Sequence, residues 1–367
     1  MDVIEKEICT GCLACVKLCP TNAIEIWEDE KGFKYPQIIE EKCIKCHKCR
    51  NLCITNHRKL ENDKETLQIL GVKSKNERER LTSRSGGIFS VLANHILSQK
   101  GIVYGCQLGR NLKVYHSRAT TKAKAKDFKG SKYVKSDLKN VYAKAKTDLE
   151  NGKKVLFSGT PCEIAGLYTF LKGTDKTNLY TCDIICHGTP TPLLYKEFIK
   201  FMEKEENEKL IHIDFRDKQF GWASHKETLT FKNKKISTEY YKDLFYSHYP
   251  LRPSCFHCQY SNMNRISDIT IGDFWGIDKE NKSFDDNKGV SLVLINTKKG
   301  ERLFHRILSQ IDYIAIDMHS QNYLQPNLQK PSQVPNNLEM FWKDYQEKGF
   351  AYIMKKYTNY QKNKKQS

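Results

Sequence analysis

Two cysteine-rich runs near the start of the chain, CTGCLACVKLCP at residues 9–20 and CIKCHKCRNLCI at residues 43–54, decide the N-terminal fold. Each run repeats one spacing, Cys-x2-Cys-x2-Cys-x3-Cys. Three cysteines two residues apart let a tight loop present three thiolates to one metal cluster. The fourth cysteine lies on a short helical turn that points away from that cluster. The doubled pattern therefore predicts two clusters that exchange one ligand between the runs.

The spacing resembles that of bacterial two-cluster ferredoxins, which implies two [4Fe–4S] clusters. The predicted ligand sets are Cys9, Cys12, Cys15 and Cys53 for one cluster, and Cys43, Cys46, Cys49 and Cys19 for the other. The alternatives are a zinc site and a disulfide framework. Zinc needs only four ligands, typically as separated pairs, and leaves the doubled triplet unexplained. Residues 1–57 are therefore predicted to carry electrons.

The composition indicates the size of the protein and the compartment in which this chemistry takes place. With 367 residues and 39% hydrophobic content, the chain is long enough for two or three domains with real cores. Its 14 cysteines are clustered, and cluster thiolates require a reducing compartment. The N-terminus is acidic without an apolar stretch, and the longest apolar-leaning run, residues 86–97, is too short to cross a bilayer. A soluble, cytoplasmic protein without a transmembrane segment is expected.

The formal charge of +18 is unusual for an electron carrier. Each oxidised four-thiolate cube carries about −2, so three cubes would lower the total to roughly +12. The remaining lysine excess indicates either an ordinary solvated surface or steering toward an acidic partner. Candidate partners are an acidic one-electron carrier such as ferredoxin, another redox subunit, or a polyanionic cofactor. No recognition motif for nucleic acid accompanies the charge.

The chain divides by pattern into five parts. Residues 1–57 form the ferredoxin module, with a strand, a turn and a strand between its two runs. Residues 58–66 are a charged linker. From residue 67 onward strands and helices alternate, which predicts an α/β domain whose site lies at the loops beyond the strand ends. We divide it into parts 67–155 and 156–325, followed by a helical basic tail, 326–367. The fold class is thus α+β and α/β: a two-cluster [4Fe–4S] ferredoxin fold fused to an α/β domain.

Six cysteines lie outside the ferredoxin module. Cys162 and Cys186 each follow a predicted strand, so their loops can converge at one end of a sheet. Cys255 and Cys258 form a Cys-x2-Cys pair. These four thiolates suit either a third [4Fe–4S] cluster or a tetrahedral zinc ion, and the residues alone leave both open. The other two, Cys106 and Cys182, are expected to be ordinary buried strand residues.

Several motifs carry a family resemblance over residues 67–325. They are GIFSVLA, GSKYV, FSGTPCEIAGLYTFL, CHGTPTPLLY, FRDKQFGW and SCFHCQYSNMNRISDITIGDFWG. Together they resemble the beta subunit of coenzyme F420-reducing hydrogenase and its relatives. The resemblance implies a flavoprotein α/β domain in which a [4Fe–4S] cluster lies beside FAD. Its implied cluster ligands are Cys162, Cys186, Cys255 and Cys258.

The flavin contacts are less sharply marked, because the chain has neither a GxGxxG motif nor a P-loop. The Ser85-Gly86-Gly87 turn precedes a helix and offers amide donors to a pyrophosphate. Gly130-Ser131-Lys132-Tyr133 adds a hydroxyl, a cation and a ring, although such a quartet can also be a plain turn. The resemblance implies FAD against these segments and Thr160. Arg84 departs from the family, which tends to have an acidic residue before the two glycines.

The sequence thus predicts an iron–sulfur and FAD oxidoreductase. Single electrons pass through the clusters to or from FAD, which exchanges a hydride with F420 or another small organic substrate. The alternatives are a non-catalytic electron-transfer subunit that feeds a partner enzyme, and a zinc-stabilised scaffold with a fused ferredoxin. No catalytic residue is assigned. His187, next to Cys186, either donates to backbone or sulfur or serves as a proton donor.

Overall fold

The structure is a computed structural model that describes residues 3–53, 55–56 and 66–361. Its strands are β1 (Ile24–Glu28), β2 (Lys34–Ile38), β3 (Gln68–Ser74), β4 (Ile102–Leu108), β5 (Val114–Ala119), β6 (Val155–Gly159), β7 (Leu179–Ile184), β8 (Leu210–Asp214), β9 (Glu227–Phe231), β10 (Lys235–Thr238), β11 (Ile269–Asp273), β12 (Ser291–Ile295) and β13 (Ile311–Ile316). Its helices are α1 (Ala14–Leu18), α2 (Lys48–Asn51), α3 (Glu77–Leu81), α4 (Ile88–Ser98), α5 (Lys122–Ala125), α6 (Val141–Glu150), α7 (Pro161–Phe170), α8 (Pro192–Glu206), α9 (Tyr240–Tyr246), α10 (Ile277–Glu280), α11 (Lys298–His305), α12 (Leu338–Lys348) and α13 (Phe350–Tyr357). None of the described helices is long and apolar enough to cross a membrane.

The N-terminal module has the predicted strand, turn and strand. Strands β1 and β2 pair antiparallel, with Ile24 opposite Ile38. The Asp29 carboxylate closes the turn by accepting a 2.7 Å hydrogen bond from the Phe33 amide. Each cysteine triplet leads into a short helix, α1 or α2. Most of the predicted linker, residues 58–65, lies outside the described residues.

An eight-stranded sheet forms the main domain, in the order β13-β3-β12-β11-β7-β6-β4-β5. Its four central strands, β11, β7, β6 and β4, run parallel to one another. The strands that flank them, β12 and β5, each pair antiparallel with the central strand beside them. Helices cover both faces: α4 and α11 pack on one and α6 and α7 on the other. The carboxyl ends of the parallel strands therefore open at one edge. The sheet contains β3, β4 and β5 from the part before residue 155 as well as strands from the part after it.

The same sequence signal starts two of the helices that follow parallel strands. Thr160 and Thr191 are N-cap residues, and each is followed by a proline at the first helical position. Threonine accepts hydrogen bonds from the free helical amides, and proline there gives up no hydrogen bond. The Gly-Thr-Pro triplets in the sequence therefore fix where these loops end and helices begin.

A separate three-stranded sheet, β10-β9-β8, packs with α8, α9, α12 and α13 around a second core. Helices α12 and α13 bury Phe341, Ile353 and Met354 in that core. Both helices lie within the segment predicted as a helical basic tail, 326–367, and their apolar faces complete the second core. Seven of the described strands and α-helices were not predicted from the sequence, namely β5, β10, β13, α3, α5, α9 and α10.

A buried carboxylate in this second core leads to a pH prediction. Glu227 is 1% exposed and accepts hydrogen bonds from Thr238 and from the first amides of α9. Burial raises the pKa of Glu227 from 4.5 to about 7 against those hydrogen bonds. The unfolded chain therefore releases this proton at a lower pH than the folded protein does. As a result, the free energy of unfolding falls as pH rises from about 4.5 to 7.

Glu227→Gln should therefore reduce the loss of unfolding free energy between pH 5 and pH 8 by roughly 1–3 kcal/mol. Urea unfolding at the two pH values measures this change. Glu28→Gln, on an exposed position of β1, serves as the control and should keep the wild-type pH dependence. A Glu227→Gln profile as steep as that of the wild type would contradict the assignment.

Candidate redox site

Four thiols gather where the central strands end. Cys162 lies in the first turn of α7, directly after β6, and Cys186 lies two residues beyond β7. Cys255 and Cys258 come from a short turn at Pro253–His257 and its end. Burial raises the pKa of the Cys186 thiol well above its usual value. The thiols close enough to raise it further are those of Cys255, Cys162 and Cys258.

The Cys162 loop is held by a buried ion pair. Glu163 closes the capping box of α7 through a 2.9 Å hydrogen bond from the Thr160 amide, and it pairs with Lys135 at 2.9 Å. Burial by itself would raise the pKa of Glu163. The charges of Lys135 and His116 outweigh that effect and lower the pKa of Glu163 to about 2. The Thr160 hydroxyl lies 3.2 Å from the Cys162 sulfur. Thr160, predicted as a flavin contact, thus touches a thiol of the cluster site.

A second buried ion pair orders the Cys255–Cys258 segment against the sheet. Arg265 pairs with Asp183 of β7 at 3.1 Å, and both side chains are almost fully buried. Arg265 also donates to the carbonyl of Tyr260, two residues after Cys258. On the other side, the Thr189 amide donates to the Cys255 sulfur at 3.4 Å. The four thiols are thereby fixed to elements of one rigid sheet.

The N-terminal thiols form two neighbouring groups. Burial raises the pKa of the Cys12 thiol to about 12. Cys15 likewise has a raised pKa through burial, and the thiols near both are those of Cys9 and Cys53. The second group packs around Val3, Ile24 and Ile38 and contains Cys19, Cys43 and Cys49, with Cys15 at its boundary. Cys46, the remaining predicted ligand, is exposed.

The first N-terminal group lies against the thiols of the main domain. Helix α1 packs on α7, where a Cβ at Gly166 would lie 2.7 Å from the Cys12 Cβ. The charge of Cys162 contributes to the pKa shift of Cys12. Tyr142 and Tyr260 both lie near these two sulfurs. The thiols therefore form a continuous series from the exposed Cys46 to Cys186.

Arg252 links the two domains at this contact. It is 1% exposed and donates hydrogen bonds to the carbonyls of Cys9, at 2.6 Å, and Lys34, at 3.0 Å. Its guanidinium lies 4.2 Å from the Tyr35 ring centroid and packs on Gly11, where any side chain would collide with it. This buried cation is thus placed beside the first cysteine loop. It was not predicted from the sequence, although it stands three residues before Cys255.

The donor sets can be tested against the groups they are predicted to hold. Among the residues that the structure describes, no three His, Cys, Asp or Glu side chains gather closely enough for a single metal ion. Zinc binds thiolates at about 2.3 Å, so its four sulfurs must lie close together. The corners of a four-iron cube hold thiolates farther apart. By their chemistry, the thiol-only donor sets suit a [4Fe–4S] cluster and a zinc ion alike.

The predicted flavin contacts do not all meet in one place. Gly130, Ser131 and Lys132 line a cavity of about 400 Å³ together with Arg78, Lys126 and Lys129. Gly86 instead packs inside the sheet, where its amide donates to Ser291 and its carbonyl accepts from Ser74. Ser85 donates to the Val290 carbonyl at 2.6 Å. Gly87 is left-handed at φ 84° and begins α4.

Aromatic rings connect this cavity to the main-domain thiols. Phe215 lines the cavity, and its ring centroid is 5.9 Å from that of Tyr133. Tyr133 is followed by Tyr246 at 6.4 Å, and Tyr246 by His187 at 5.1 Å. His187 is adjacent to Cys186 in the chain. A path of flat side chains therefore runs from the cavity to the thiol site.

Two arginines at the carboxyl edge of β11 share one carboxylate. Arg216 pairs with Asp273 at 2.6 Å, and Arg84 lies 3.7 Å from the same group. Within the described chain, Arg84 Nε and Nη1 and Arg216 Nε are buried without a hydrogen-bond partner. Trp275, stacked on Trp222 at 4.9 Å, is 40% exposed beside them. Unpaired buried donors next to an exposed indole suit a flat ligand with anionic groups.

The remaining residues considered in the sequence analysis are His187, Cys182 and Cys106. His187 contacts His248 at 2.7 Å and Asn327 at 3.0 Å, and burial lowers its pKa to about 4, so it is neutral at pH 7. Cys182 is fully buried on β7, as expected. Cys106 lies half-buried on β4.

Comparison with known proteins places two matched domains along the chain. Residues 152–320 match the family model for the C terminus of the beta subunit of coenzyme F420 hydrogenase/dehydrogenase, and residues 8–57 match that of the 4Fe-4S dicluster domain. Among solved structures, a chain of the xenon-derivatised F420-reducing [NiFe] hydrogenase complex from Methanosarcina barkeri is similar at 15% identity and a TM-score of 0.49. That similarity covers 70% of this chain and 84% of that chain. No curated protein matches the sequence.

The thiol sets and the matched domains define an iron–sulfur electron-transfer protein related to oxidoreductase subunits. Residues 152–320 match the C-terminal domain of the coenzyme F420 hydrogenase/dehydrogenase beta subunit family, and a 4Fe–4S dicluster domain precedes that region.

Proposed function

We propose that this protein is an iron–sulfur flavoprotein that relays single electrons through three [4Fe–4S] clusters to or from FAD. FAD, when bound, supplies the exchange between single electrons and a hydride passed to or from F420 or another organic substrate. The observation that carries the proposal is the gathering of four half-buried cysteines at the carboxyl edge of the sheet, beside Cys12. A carrier protein or another redox subunit is the proposed partner.

The placement of the thiols supports an order of transfer. Cys46 is exposed, Cys12 is in contact with α7, and Cys186 lies next to the aromatic path. Electrons then enter or leave the protein at the exposed second N-terminal site. They pass through the site with Cys12 and reach the main-domain site, which faces the flavin. Burial of the last two sites keeps water away from the transferred electrons.

Metal and flavin content test the proposal directly. Anaerobically reconstituted protein should hold about twelve irons and twelve acid-labile sulfides, four for each cube, together with bound FAD. Replacement of Cys255 and Cys258 by serine should remove about four irons and leave the N-terminal clusters intact. Replacement of Cys106 by serine is the control and should leave the iron content unchanged. About eight irons with one zinc, or failure to bind FAD or FMN, would contradict the proposal.

The cavity lined by Gly130, Ser131 and Lys132 is the proposed site for the phosphates of FAD. Arg78 and Lys126 line it and are exposed, so reversing their charges should not disturb a core. Arg78→Glu with Lys126→Glu should weaken FAD binding about tenfold or more, because charge-assisted contacts to phosphate are each worth about 1.5–3 kcal/mol.

Fluorescence titration of flavin-depleted protein measures this affinity. The matched control is Lys122→Glu with Lys124→Glu on α5, which carries the same charge change outside the cavity lining. Equal weakening in both double variants would indicate a general charge effect and would contradict a phosphate site in this cavity.

A further inference from the structure

The two cysteine runs of the N-terminal module differ in exposure. In the first run Cys9 and Ala14 are buried, and the loop packs on α7 and Arg252. The second run faces solvent: Ile44 is 63% exposed and Cys46 is exposed. The second run is thus the accessible side of the module among the described residues.

Charge is unequally distributed within the module. Between Lys42 and Cys53 the sequence has no aspartate or glutamate. The side chains of four cations in this stretch are exposed, namely Lys42, Lys45, Lys48 and Arg50. Glu40 and Glu41 directly precede this stretch, and Glu25, Glu28, Asp29 and Glu30 lie in the β1 hairpin. The second cysteine run is therefore a distinct basic surface.

The backbone at Lys45 decides which substitution can test its charge. Lys45 occupies the same place in its run as Gly11 in the first, and both are left-handed, at φ 53° and 65°. Glycine adopts this conformation freely, whereas other residues lose about 1–2 kcal/mol. Gly11 must lack a side chain because Arg252 packs on it. Lys45 is exposed, so glycine at this position removes the charge and relieves the strain.

We infer that the Ile44 face, defined as Lys42, Ile44, Lys45, Cys46, Lys48 and Arg50, is the docking surface for an acidic one-electron carrier protein. An exposed apolar side chain surrounded by cations matches a small, transient interface in which charge steers the encounter. Cys46, a proposed cluster ligand, is exposed and belongs to this face, so a docked carrier would lie next to that cluster. The inference rests on the proposed function only for the cluster at Cys43, Cys46, Cys49 and Cys19.

The test uses Lys45→Gly combined with Lys48→Gln in the full-length reconstituted protein. Because Lys45→Gly relieves the left-handed strain, the variant should be at least as stable as the wild type. Stopped-flow bleaching of the N-terminal clusters by a reduced acidic two-cluster ferredoxin should slow about tenfold at low salt, with a weaker salt dependence. Calorimetric binding of the oxidised ferredoxin should weaken in parallel. Reduction by dithionite should stay unchanged.

The charge-matched control is Lys232→Gln with Lys235→Gln, two exposed positions in and beside β10 of the second sheet. This control should bind and react as the wild type does. Wild-type rates and affinity in the Lys45 and Lys48 variant, an equal loss in the control, or slower dithionite reduction would each overturn the docking surface. Neither readout needs flavin or the main-domain thiols, so a protein without FAD would contradict the proposed function and leave this test intact.

Discussion

Arg252→Met is expected to loosen the N-terminal module from the main domain. The substitution leaves the carbonyls of Cys9 and Lys34 without their donor inside a buried contact, and hydrogen bonds to charged groups are worth about 1.5–3 kcal/mol each. The unfolding free energy should therefore fall by on the order of 3 kcal/mol. Denaturant unfolding measures the loss, and limited proteolysis within residues 1–57 reports the loosening.

The same variant should also change the first cluster. A buried cation stabilises the more negative, reduced form of a nearby cluster, so its loss should lower the midpoint potential by on the order of 60 mV, a tenfold change for a one-electron couple. Arg252→Lys is the matched variant, because it keeps the charge and loses the two-armed hydrogen bonding. The lysine variant should retain most of the wild-type midpoint potential but not the wild-type unfolding free energy. A methionine variant with wild-type potential and stability would show that Arg252 is not the link.

Gly166→Ala is expected to destabilise the protein, which is opposite to the usual effect of this change. Alanine in place of glycine inside a helix normally stabilises by roughly 0.5–1 kcal/mol. In α7, however, the new Cβ would lie 2.7 Å from the Cys12 Cβ and 2.8 Å from the Tyr142 hydroxyl. Overpacking of this kind costs about 1–3 kcal/mol.

The same unfolding measurement on Ala143→Gly, at an exposed position of α6, gives the ordinary propensity scale in this chain. That control should lose roughly 0.5–1 kcal/mol. Iron content of Gly166→Ala should fall if the Cys12 loop is displaced. A Gly166→Ala protein more stable than the wild type would mean that α1 and α7 do not pack as closely as described.

Much of the fold could be predicted because it depends on local patterns. The cysteine spacing, the Gly-Thr-Pro helix starts and the apolar runs of the central strands are signals within a few residues of each other. The packing of the C-terminal helices could not be predicted for the opposite reason. The apolar residues of α12 and α13, such as Phe341 and Ile353, pack in a second core that is formed by residues far away in the chain.

The candidate site was only partly predictable. Two strand-end cysteines and a Cys-x2-Cys pair could be expected to converge, since parallel strands end at one edge. The flavin segments could not be separated in the same way. Gly86 and Gly130 look alike in sequence, yet Gly86 packs against Ser291 while Gly130 lines an open cavity.

The sequence by itself determined the ligand chemistry, because thiol spacing is a covalent property of the chain. It also predicted most strands of the main sheet and the family resemblance. Only the tertiary structure decided that Cys12 faces Cys162, that Arg252 lies under Cys9, and that the second cysteine run faces solvent. These contacts join residues far apart in the chain, and they depend on which surfaces the two domains bury against each other.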